Sequence, residues 1–303
     1  MQGRAGGGLV GVTHGWRLHR VELKRLAMMF DQLACVSLTQ TFRELMDAPE
    51  KKYFAAELEF LMKNEFLYEP DFFSEAAHLS NNKEFTDLLN EFVRRDKKMD
   101  RLPIEGSIKN SVQFLVEYAT QQELILRLMS TQLRALKNLD AVPLISSQLS
   151  SSFGVGKCRV LEIVLNRMPQ PNSSVPWEQI LEFRNDPEMK GKFWALRAWI
   201  TELARANLSP TEVVEKLECS LHEYQQHMKL ARIKTNWGAC RTLVCVAAEV
   251  AEDLIKFKWG KAAQMLFILQ DRRLALAEAE LQAPGKEVAY IVAAGEQFSS
   301  GEP

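Results

Sequence analysis

Residues 23–38, LKRLAMMFDQLACVSL, decide how the first half of the chain is read. Two short apolar runs meet at Asp31, and their spacing fits two short strands as well as one helix. On the strand reading, Asp31 closes a strand and is the one acid whose setting resembles that of a catalytic carboxylate. On the helix reading it is a polar break in an apolar face.

Upstream lies MQGRAGGGLVGVTHGW (1–16), whose short apolar run is broken by glycine. No proper hydrophobic region with a small-residue cleavage site follows, so it does not read as a signal peptide. The expectation for residues 1–22 is a flexible tail, or an over-extended start whose true beginning lies nearer Met28 or Met29.

Downstream, helical spacing dominates. In DAPEKKYFAAELEFLMK (47–63), Asp47 with Glu50 forms a helix-start pattern, and Phe54, Leu58, Leu61 and Met62 form one apolar stripe. In NNKEFTDLLNEFVRR (81–95) the stripe is Phe85, Leu88, Leu89, Phe92 and Val93. A long helix is expected from Ile108 to Lys137, ended by Asn138 in a left-handed cap. DAVPLIS (140–146) reads as a strand that Pro143 confines to an edge or a strand start. SSQLSSSFGVGK (146–157) reads as a polar loop, and CRVLEIVLNRM (158–168) fits strand or helix. PQPNSSVP (169–176) is the best linker.

In PWEQILEFRNDP (176–187), Pro176 suits a first helical turn, and Trp177, Ile180 and Leu181 share a face with Arg184. Glu178 and Glu182 point elsewhere. Arg184 therefore runs its stem along the core, bonds carbonyls at its own helix end, pairs with a distant carboxylate, or grips an anion. Asp186–Pro187 ends this helix and caps the next, whose stripe is Phe193, Leu196, Ile200 and Leu203 with Arg197 beside it. Ser209 and Glu212 form a capping box. From Val214, the residues Leu217, Leu221, Tyr224, Met228 and Ala231 make a seam for another helix.

The fold expected is predominantly α with a minor β component: amphipathic helices around a short-stranded sheet, and a helical C-terminal half. A mixed α/β domain is assigned to 23–170, a helical domain to 171–296 and a polar tail to 297–303.

Several motifs almost form. His222 and His227 in HEYQQH are five apart, roughly 140° around a helix, and do not converge on a metal as an i, i+4 pair does. SSSFGVGKC lacks the glycine at Ser151 and the hydroxyl at Cys158 that a phosphate-binding loop needs, and the helical remainder suggests no parallel sheet to carry it. EKK at Glu50 and EMK at Glu188 are ordinary mixed-charge helix surface. No metal site and no cofactor are expected. The cysteines, five in number and without a CxxC pair, read as buried thiols of a reducing compartment. No run of about 18 apolar residues occurs, so no membrane span is expected, and the cytoplasm is the expected location.

PWEQILEFRND, RLAMMFDQLA, LDAVPLIS and GKEVAYI together resemble signatures of a family of bacterial hypothetical proteins of about this length, of unknown function, over Lys24 to Phe298. The resemblance implies a bacterial, intracellular protein and supplies no catalytic residues.

Net charge is −1, which points to no global attraction for nucleic acid. The leading expectation is a non-enzymatic interaction or regulatory protein, a subunit of a larger assembly with a protein partner or self-association. One alternative is a metal-dependent nuclease or other phosphate-handling enzyme centred on Asp31, with Arg127 or Arg184 and Trp177 as binding residues. A second is nucleic-acid binding through KLARIKTNWGACR (229–241), with Lys229, Arg232, Lys234 and Arg241 beside Trp237.

Overall fold

The computed structural model describes residues 8–15, 18, 20–47, 51–71, 76–99, 108–144, 156–249 and 274–298. It is predominantly helical around one small sheet, as expected. The strands are β1 (Leu9–His14), β2 (Gln32–Val36), β3 (Leu67–Tyr68) and β4 (Asp140–Pro143), in the order β3-β2-β1-β4 and all parallel. Val10 lies opposite Gln32, and Leu9 opposite Asp140.

Parallel neighbours need crossovers, and these are right-handed almost without exception. The path β1 to β2 to β3 steps one way across the sheet, whereas β3 to β4 steps back past β1. Right-handedness then puts the two sets of connecting helices on opposite faces. The cores agree. Leu23 and Leu26 of α1 (Arg20–Met29), with Leu58 of α3 (Lys52–Lys63), pack with Leu9, Leu33 and Val142. On the other face, Leu126, Met129 and Leu133 of α5 (Ile108–Lys137) pack with Val10, Val12, Ala34 and Ala141. Successive strand residues thus supply different cores, the period of two expected of a pleated strand.

The expected tail is where reading and structure part. Leu9–His14 is one of the two interior strands, buried along its whole length. A strand covered on both faces has no polar alternation to betray it, and glycines on either side complete the disguise. A chain that began at Met28 would lack this strand and most of α1. The stretch 23–38 is neither two strands nor one helix: α1 runs into β2, and the change falls at Phe30 and Asp31.

The other helices on this half are α2 (Leu38–Met46) and α4 (Lys83–Met99). Asp47 ends α2, while α3 starts after Lys51 without a side-chain cap, so the expected Asp47 cap is not formed. Leu58 and Leu61 of the first stripe are buried and Phe54 and Met62 half-buried. In α4 the stripe is narrower than expected, since Phe85 is buried but Leu89 and Val93 are exposed. Asn138 takes a positive φ after α5, and Pro143 sits at the end of an edge strand, both as expected.

Beyond position 156 come α6 (Lys157–Arg167), α7 (Trp177–Asn185), α8 (Pro187–Arg205), α9 (Pro210–Glu249), α10 (274–282) and α11 (Ala289–Phe298). CRVLEIVLNRM is therefore helix. Asp186 accepts from the backbone N–H groups of Glu188 and Met189 at 2.9 and 3.0 Å with Pro187 in the first turn. Ser209 and Glu212 cap reciprocally at 2.7 and 3.3 Å. The same apolar cluster that holds Leu9 and Leu23 also holds Leu196, Leu217, Tyr290 and Phe298, so residues on both sides of position 171 share one core. Among the described cysteines, all free, Cys35 is buried, but Cys158 and Cys219 are exposed against expectation. No helix of the described residues is long and apolar enough to cross a membrane.

The α9 seam is used internally. Leu217, Tyr224, Met228 and Ala231 are buried and Leu221 half-buried, with Val213 rather than the exposed Val214 at its head. The turn before α11 holds it in place through Gly285, whose φ is +69° and whose added Cβ would stand 2.2 Å from the Ser220 carbonyl oxygen. Gly285→Ala should therefore cost about 3 kcal/mol of unfolding free energy, read from urea denaturation. Gly191→Ala, mid-helix with nothing within 4 Å of the new methyl, should instead add about 1 kcal/mol.

Candidate functional site

Arg184 sits in the last turn of α7, and the face it shares with Trp177 and Ile180 packs toward the sheet. Its Nη2 donates to Asp31 Oδ1 at 2.7 Å, so the distant carboxylate is the partner that Glu178 and Glu182 were too poorly placed to be. Asp31 Oδ2 accepts from the Leu9 backbone N–H at 2.8 Å, and the Asp31 N–H donates to the Leu9 carbonyl at 2.8 Å. Arg197 of α8 adds a second cation, with Nη1 3.6 Å from Asp31 Oδ2 and Nη2 donating to Asp140 Oδ2 at 3.1 Å. Lys157, opening α6, donates to the same Asp140 oxygen at 2.5 Å.

The result is a chain of two carboxylates and three cations, with side chains between 12% and 30% exposed. Aromatic rings wall it: Arg184 lies 5.7 Å from the Phe66 centroid, and Arg197 lies 4.8 Å from that of Trp194. Beside it the Tyr290 hydroxyl donates to the Met28 carbonyl at 2.8 Å, tying α11 to α1. Burial raises the Tyr290 phenol above its ordinary value, Arg184 opposes that rise and Asp31 adds to it.

The position of this cluster bears on its chemistry. Asp31 precedes β2, Leu9 opens β1 and Asp140 opens β4, so the charges gather at the amino ends of the strands. In open parallel sheets ligands bind at the carboxyl ends. A divalent cation also needs several oxygen ligands, whereas Asp31 here faces two guanidinium groups. Among the described residues no group of three or more His, Cys, Asp or Glu is placed to hold a metal. The arrangement joins α7 and α8 to the strand ends.

At the carboxyl edge, Thr13 and His14 of β1 are buried. There Glu69, just past β3, accepts from the backbone N–H of Thr39 at 2.9 Å and from its hydroxyl, so the start of α2 already holds an internal carboxylate. The sheet is parallel, which removes one objection to a phosphate loop after β4. The missing motif residues at Ser151 and Cys158 remain, and Lys157 is paired with Asp140.

Of the residues singled out from sequence, Asp31 and Arg184 are brought together. Arg127 instead pairs with Glu123 on its own helix at 2.7 Å. Trp177 is buried at the start of α7. Lys229 is exposed, Arg232 is bridged to Glu296 at 2.7 Å, and the side chains of Lys234 and Arg241 lie outside the described residues. Arg197, Asp140 and Lys24 were missed as partners. Arg197 had a signal, a charge beside an apolar stripe, while Lys24 and Asp140 had none. No family model, curated protein or solved structure matches this chain.

Proposed function

We propose that this chain acts by binding a protein partner, as a subunit of a larger assembly, through the outer face of α10. The observation that carries this reading is an apolar stripe. Leu274 and Leu281, 61% and 70% exposed, are seven residues apart with Ala277 between them, the spacing of a helix-packing seam. The opposite side of α10 is fixed inward, where Glu280 accepts from the Tyr224 hydroxyl at 3.0 Å and the Ala279 carbonyl lies 3.0 Å from His227 Nε2. A helix held by one side and presenting two leucines beside the exposed Glu278 on the other is suited to receive a second helix. Isolated exposed leucines are common, so the argument rests on their sharing one face.

The test compares wild type with Leu274→Glu/Leu281→Glu. Unfolding free energy should change by no more than about 0.5 kcal/mol, as for surface substitutions. Sedimentation velocity and cross-linking should show an associated species with wild type that the double variant loses. A monomer at all concentrations that cross-links to nothing, or an association indifferent to the two glutamates, overturns the reading.

A further inference from the structure

The outer face of α8 is left open by its own chain. Lys190, Gly191, Trp194, Ala195, Ala198 and Glu202 follow the spacing of one helix face, and all six are exposed. Trp177 is buried and Trp199 half-buried, whereas Trp194 is 55% exposed, with Arg197 lying 4.8 Å from its ring centroid. Tryptophan is among the residue types enriched at binding hot spots, and this one is steadied by its neighbour while much of its ring stays open.

The charges on this face are an independent observation. Among the described residues the side chains of Lys190 and Glu202 have no ion-pair or hydrogen-bond partner, while nearby Lys192 is bridged to both Glu188 and Glu280. Twelve positions separate Lys190 from Glu202, about 18 Å along the helix, so they do not pair within one chain. They do stand symmetrically on it. Lys190 and Glu202 lie six positions either side of Leu196, and Trp194 and Ala198 lie two either side.

A two-fold axis level with Leu196 turns that symmetry into an interface, because an isologous contact needs a surface that complements itself. A second α8 laid antiparallel across the first sets Lys190 of each copy beside Glu202 of the other. It also sets Trp194 of each copy against the methyl group of Ala198 in the other. Gly191 and Ala195, with little or no side chain, let the two helices approach closely. Arg205, in the last turn, comes level with Glu188 of the other copy. We propose that the chain forms an isologous dimer through this face of α8, its partner a second copy of itself. The surface differs from the outer face of α10 and is tested apart from it.

The experiment follows the full chain by sedimentation equilibrium, in wild type and in the Leu274→Glu/Leu281→Glu background, where association through α10 is lost. A dimer should persist in both, with a dissociation constant on the order of 10 μM, as suits an interface of one helix face. Trp194→Ala should weaken it about thirtyfold. Lys190→Glu and Glu202→Lys should each weaken it about tenfold, since every dimer contains the contact twice. The double reversal Lys190→Glu/Glu202→Lys should recover the wild-type affinity within about twofold. That recovery reports on pairing between copies, because the two residues stand too far apart to meet in one chain. All three positions are exposed, so none of these variants threatens folding. A chain that stays monomeric up to about 1 mM, a dimer indifferent to Trp194→Ala, or a double reversal no tighter than the single ones overturns the proposal.

Discussion

Lys24→Met should lower the unfolding free energy by about 3 kcal/mol, among the largest losses available to a single substitution here. Lys24 is 1% exposed, and its ammonium donates to the carbonyls of Asn172, Ser173 and Val175 at 3.2, 2.9 and 2.5 Å. Those carbonyls belong to the turn that launches α7, about 150 positions away in sequence, and the charge also lies 5.8 Å from the Trp177 ring centroid. Methionine keeps most of the aliphatic stem, so the loss reports on three carbonyls deprived of their donor rather than on a cavity. Asn172 and Ser173 are themselves exposed, which lets water recover part of the bonding and holds the expected loss below the top of the range for a broken buried pair. Urea denaturation measures it. A loss under about 1 kcal/mol means that the turn rehydrates freely and that Lys24 is not what holds α7 to α1.

Lys24 also shows why sequence revealed only part of this architecture. Caps are local chemistry, so Asp186–Pro187, the Ser209–Glu212 box and Asn138 were legible from a few neighbouring residues. Pro143 marked an edge strand because a missing N–H restricts where proline can stand in a sheet. A lysine that bonds backbone carbonyls far along the chain leaves no such trace, since any residue supplies a carbonyl. The first strand was lost for a related reason: LVGVTH is buried on both faces, and burial on both faces erases the alternation by which strands are found. The α9 seam was legible as a seam. Which surface fills it was not, because an apolar stripe looks the same whether its partner is its own chain or another.

Arg184 stands between these cases. Side-chain geometry on α7 excluded Glu178 and Glu182 and so pointed to a distant partner, while the setting of Asp31 beside two apolar runs singled it out as a candidate catalytic carboxylate and not as the partner in an ion pair. The alternatives at this site were a clamp and a catalytic carboxylate, and they make opposite predictions. As a clamp, Asp31→Asn should cost about 2–3 kcal/mol, because one oxygen remains for the Leu9 N–H while Arg184, 15% exposed, and Arg197, 12% exposed, lose the facing charge. Arg184→Met should cost about 2 kcal/mol. The double variant should fall short of the sum by about 1–2 kcal/mol, the coupling expected of a direct, partly buried pair. Magnesium binding, measured by calorimetry, should be the same in wild type and Asp31→Asn. A catalytic carboxylate behaves the other way round: strained among its neighbours, it is removed with little loss of stability, and metal binding or nucleic-acid cleavage disappears with it. Independent energies for Asp31 and Arg184, together with metal binding that Asp31→Asn abolishes, would return Asp31 to the enzyme reading.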